Sequence, residues 1–101
     1  MSTAEHQKRA IIHEMLKETE DPADVEDLRA LAHELEPTTS VEVRDAAVAA
    51  ACVLLRPDPR YAGVPLKNSE VWDSIGTPLS LEETRLGRSI VKAWCDRRAK
   101  V

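Results

Sequence analysis

The chain has 101 residues, 43% apolar and 32% charged, with a formal net charge of −4. This suits a single domain with a core built without metals or disulfides. Two cysteines exclude a disulfide framework, three glycines exclude a glycine-rich phosphate cradle, and the lack of Phe leaves the core to Leu, Val, Ile and Ala.

The first helix is predicted to begin at Ser2, which has capping-box spacing to Glu5. Its apolar stripe is Ile11, Ile12, Met15 and Leu16, extended by Ala4. The stretch Glu20-Asp21-Pro22 interrupts it, and Pro22 suits the first position of a new helix capped by Asp21. The second helix carries Val25, Leu28, Leu31, Ala32 and Leu35, a stripe narrow enough for a bundle or coiled-coil seam. Val25, Leu28, Ala32 and Leu35 suit pairing with the first helix or with a second copy in a homodimer.

Pro37 ends that helix, and Thr39 or Ser40 caps the third. From Ala46 to Leu55 there is no polar side chain. At helical pitch these residues point in all directions, so other helices must surround them. The run is too short for a bilayer, which takes about 20 apolar residues. The segment Ser40 to Leu55 resembles one helix of a HEAT-type repeat, but the chain shows no repeating period, and the resemblance implies nothing further.

Residues 57–78 read as a long irregular connection containing a short helix from Ser69 to Ile75, with Asn68 as its cap and Gly76 as its stop. Tyr61, Val64, Leu66 and Trp72 are placed to lid the bundle end. The last helix opens with the capping box Ser80-Leu81-Glu82-Glu83 and buries Leu86, Ile90 and Trp94, with Val91 beside them. Arg85, Arg88 and Lys92 take the opposite face. Arg97 and Arg98 would turn toward the apolar side, so the ordered, buried part is expected to stop near Asp96, with a frayed basic tail over 97–101. The predicted fold is all-α: one domain over 1–101, with four or five helices, bundle-like or orthogonal, around a central apolar helix at about 41–56.

Charge is unevenly distributed. Residues 1–84 hold 8 Lys and Arg against 17 Asp and Glu, a balance of −9, whereas residues 85–101 hold six against Asp96, a balance of +5. An acidic body with a basic end suits an acidic partner, or docking of the tail on the body. Catalytic signatures are sparse. His13-Glu14 and His33-Glu34 begin like a zinc-protease motif, but Lys17 and Pro37 stand where the second histidine belongs. His6 and His13 share a face two turns apart, about 10.8 Å, too far for one metal without a side chain from elsewhere, and a solvated face is the favoured reading. The acids Glu18 to Asp27 read as a solvated turn, and a basic partner protein is their functional alternative. Cys95 has cationic neighbours but no adjacent histidine to act as base. Leu28–Glu36 followed by Thr38–Val48 has a helix-turn-helix layout, but its second helix turns wholly apolar after Asp45 and cannot read a groove.

The expectation is a small non-catalytic interaction or regulatory module, adaptor- or inhibitor-like, that binds another protein and needs no cofactor or metal. Composition suits a GC-rich bacterial or phage genome, and the N-terminus lacks a secretory hydrophobic stretch, which points to the cytoplasm rather than a membrane. Arg60, Tyr61 and Trp72 are the expected partner-binding residues, since Trp, Tyr and Arg dominate binding hot spots. The alternative is a nucleic-acid-associated protein contacting phosphates, or an acidic partner, through Arg85, Arg88, Lys92, Arg97 and Arg98.

Overall fold

The computed structural model describes residues 3–18, 22–55 and 67–99. They form five helices: α1 (Thr3–Glu18), α2 (Pro22–Leu35), α3 (Val41–Leu55), α4 (Asn68–Ile75) and α5 (Leu81–Ala99). There is no strand among the described residues. Ser2, Asp21, Arg60 and Tyr61 lie outside them.

The apolar run forms the hub. Each residue from Ala46 to Ala51 is 0% exposed. Ala49 and Ala50 are covered like the rest, although an exposed alanine costs little. The enclosure comes from four directions: α3 packs most extensively against α5, and also against α2, α4 and α1.

Small side chains make the α3–α5 crossing possible. Gly87 of α5 sits against α3, where a Cβ would lie 2.8 Å from Ala50 Cβ and 3.1 Å from the Ala47 carbonyl oxygen. Neither atom can swing away, because one is fixed to the helix backbone and the other belongs to it. Gly87 therefore sets how closely the two helices approach. On the other sides, Ile12 and Leu16 of α1, Val25, Leu28, Leu31 and Ala32 of α2, and Val71 and Ile75 of α4 complete the core.

The stripe on α2 meets α3 and α5 rather than α1. Val25, Leu28, Leu31 and Ala32 are 5%, 2%, 3% and 0% exposed, so the seam offered for a second copy is covered within the chain. Only Leu35, at its end, reaches the surface, at 41%.

The helix ends show local and distant chemistry side by side. At α5, Ser80 N–H donates to Glu83 Oε1 at 2.7 Å and Glu83 N–H donates to Ser80 Oγ at 3.1 Å. This is the reciprocal capping box read from the sequence. The same Glu83 oxygen accepts from Lys8 Nζ of α1 at 2.6 Å, and the Glu83 side chain is only 6% exposed. One carboxylate thus caps α5 and ties α1 to it.

At α3, Ser40 rather than Thr39 is the cap: Val43 N–H donates to Ser40 Oγ at 3.3 Å. At α4 the cap is Lys67, whose N–H points to Glu70 Oε1 at 3.5 Å, and Asn68 is already helical. The Asn68 side-chain oxygen Oδ1 instead accepts from Arg88 Nη2 of α5 at 2.7 Å. Gly76 ends α4 in the left-handed region at φ 98°, its N–H donating to the Trp72 carbonyl at 2.7 Å. Helical geometry in α5 runs on to Ala99, past Asp96. Arg97 is exposed there and pairs with Glu34 of α2 instead of pressing into the core.

Candidate functional site

The residues singled out from the sequence fall in separate places. Trp72 lies on α4, half-buried and packed against the core. Its indole nitrogen is shielded from solvent and has no hydrogen-bond partner among the described residues. That environment suits a packing residue more than an anchor offered to a partner.

Of the five basic residues expected to contact phosphates, the four whose side chains are described have different environments. Arg85 and Lys92 are exposed and share a helical face. Arg88 is half-buried and donates to Asn68. Arg97 pairs with Glu34, both side chains more than half exposed. The side chain of Arg98 lies outside the description. Arg97 on Glu34 is a place, among the described residues, where the basic end of the chain meets its own acidic body.

His6, His13 and His33 are all exposed. Arg44 Nη2 donates to His33 Nδ1 at 3.2 Å, which fixes that nitrogen as the acceptor, since a guanidinium can only donate. Among the described residues no group of three or more His, Cys, Asp or Glu is placed to hold a metal ion. No described helix is long and apolar enough to cross a membrane. Cys95 is exposed on α5.

A different place emerges at the corner where α2 turns into α3. The turn is short: Glu36 N–H donates to the Ala32 carbonyl at 3.0 Å and Thr39 N–H to the Glu36 carbonyl at 3.2 Å. It leaves Leu35 41% and Val41 62% exposed, one on each side. The only other large exposed apolar side chain among the described residues is Leu81, at 66%.

Acids flank this corner. Glu36 is exposed. Glu34 and Glu42 hold Arg97 and Arg9, which come from α5 and α1. Beneath it, Arg44 bonds His33 and the Thr39 carbonyl, the latter at 3.4 Å, and Arg29 Nε stands 3.5 Å from Asp45 Oδ1. These contacts link α3 to α2 and to the turn between them.

The sequence contained both parts of this site but did not mark it. By sequence, Leu35 is the last residue of an apolar stripe and Val41 the start of the central helix. Their exposure follows from where the turn puts them, and a helical period does not report that. The one available signal was the pairing of two apolar residues around a Pro-Thr-Thr-Ser turn rich in neighbouring glutamates. Comparison with protein families, with curated proteins and with solved structures finds no match to this chain.

Proposed function

We propose that this protein is a small helical interaction module that binds another protein through its surface and carries out no catalysis of its own. The observation that supports this reading is the α2–α3 corner. Two of the three large exposed apolar side chains among the described residues, Leu35 and Val41, flank one short, cross-braced turn. Single exposed apolar residues need no explanation, and it is their place on either side of one short turn with a charged rim that supports an interface there.

Capture of partners by the tagged full chain, from the cells that make it, tests the reading. A partner protein should be retained by the wild type and lost with Leu35→Asp/Val41→Asp, two changes at exposed positions that leave the core untouched. Circular dichroism should report the same helicity for both. Unchanged capture by the double variant overturns the assignment to this corner. Loss with Arg60→Ala/Tyr61→Ala instead moves the contact to the 57–78 connection. Recovery of nucleic acid alone, lost with Arg85→Glu/Lys92→Glu and released by salt, overturns the protein-binding reading in favour of phosphate contact.

A further inference from the structure

The packing of the helices divides the fold in two. α2, α3 and α5 each pack on the other two, so these three close on themselves. α1 and α4 pack on each other and on α3. They make a second layer over another side of the central helix. Within that layer, Ile11 Cγ2 of α1 stands 3.7 Å from the place a Cβ would take on Gly76, at the end of α4.

The layer is held more lightly than the unit beneath it. It buries Ile12, Leu16, Val71 and Ile75 against the core. The three-helix unit closes Val25, Leu28, Leu31, Ala32, Leu86 and Ile90 around α3, and Gly87 brings α5 into close contact with it. Apolar burial is the larger part of what resists opening, so the smaller set gives way first. Polar contacts supply the rest of the hold on the layer. Lys8 Nζ of α1 donates to Glu83 Oε1 of α5 at 2.6 Å, with the side chains 29% and 6% exposed. Arg88 of α5 donates to Asn68 Oδ1 of α4 at 2.7 Å. Arg9 pairs with Glu42 of α3, both half-exposed, and a pair of that kind contributes little.

We propose that α1 and α4 form a lid that lifts as one from α3 and α5 while α2, α3 and α5 stay folded, with Lys8 on Glu83 as its latch. The two helices move together because each covers the flank of the other. Opening takes Lys8 from Glu83, but Glu83 still accepts from Ser80 N–H, so α5 keeps its cap. α3 keeps its own helical hydrogen bonds and the cover of α2 and α5, so its amides stay protected. The side of α3 that faced the lid, which is apolar, then meets water. The closed form hides that surface and the opened form presents it, which makes the lid a switch. Arg9 leaves Glu42 in the same step, so opening also changes the charge beside the α2–α3 corner. The inference does not depend on what binds at that corner.

Native-state hydrogen exchange of the full-length protein at rising, sub-denaturing urea tests it. The amides of α1 and α4 should share one opening free energy with a weak dependence on urea. They should exchange about tenfold or more faster than those of Ala46 to Ala51, which follow global unfolding. Lys8→Met keeps most of the apolar stem and leaves the Ser80–Glu83 cap intact. It should speed exchange in α1 and in α4 by the same factor, about tenfold, because a hydrogen bond to a charged group is lost from the closed form only.

Exchange of α1 and α4 with the full urea dependence of unfolding would mean that the domain opens only as a whole, and would overturn the proposal. Faster exchange in α1 alone, with α4 unmoved by Lys8→Met, would reduce the event to the fraying of one helix and overturn it equally.

Discussion

Replacing Gly87 by alanine is expected to lower stability by about 2 kcal/mol, although glycine inside a helix is normally the weaker choice by about 1 kcal/mol. The reason is the α3–α5 crossing. An added Cβ would stand 2.8 Å from Ala50 Cβ and 3.1 Å from the Ala47 carbonyl oxygen. Carbon atoms in contact prefer about 3.5–4.0 Å, so the helices must separate by a large part of an ångström. Every contact along the most extensive interface of the fold weakens with them. Overpacking of this kind typically costs about 1–3 kcal/mol, and it outweighs the gain in helix propensity.

For a domain this size the shift in midpoint temperature should be about 10 °C. Gly87→Val should cost more, because its two extra methyl groups meet the same wall. Ala50→Gly alone should cost about 1 kcal/mol through propensity, but it should recover part of the loss when combined with Gly87→Ala, since it removes the opposing Cβ. Thermal unfolding of the four proteins closes the cycle. An alanine at position 87 that stabilises the protein would show that the helices do not meet there.

The second large effect lies on α2. Leu28 is 2% exposed, and Leu28→Ala should cost about 2–5 kcal/mol, the range for a leucine whose cavity the neighbours cannot fill. Leu35→Ala, on the same stripe two turns later and 41% exposed, should cost less than about 1 kcal/mol. Urea unfolding gives both values. The contrast tests whether the stripe is covered by α3 and α5 or left open for a second copy. Equal and small effects at the two positions would return the seam to the surface and reopen dimerisation through it.

The features that were legible in the sequence are those whose causes are local. A run of ten residues without a polar side chain implies a surrounded helix whatever surrounds it. Ser80 and Glu83 lie three residues apart, so their capping box is already present in the sequence. Gly76 stops α4 because a residue with φ 98° has to follow it.

What escaped depends on distant neighbours. Asn68 looks like the cap of α4, but its side-chain oxygen is taken by Arg88, twenty residues away, and Lys67 stands at the cap instead. Glu83 reads as a helix cap, and only the fold brings Lys8 to it across 75 positions. The stripe on α2 announces a buried face without saying which helices bury it. Gly87 carries no local signal in the sequence, and its role exists only where α3 crosses α5. The candidate corner escaped for the same reason. Leu35 belongs to a buried period and yet lies beyond the edge of the helices that cover it.

All of this assumes that α3 is enclosed around its girth from Ala46 to Ala51, leaving its first turn and the outer faces of the other helices to meet partners. Native-state hydrogen exchange at the amides of Ala46 to Ala51 tests that assumption most directly. All six residues are 0% exposed, so their amides should exchange only when the whole domain unfolds, slowed by about 10³-fold or more, with an opening free energy equal to that from urea unfolding. Exchange within seconds, or an opening free energy well below the global value, would mean that the central helix opens on its own and is not enclosed.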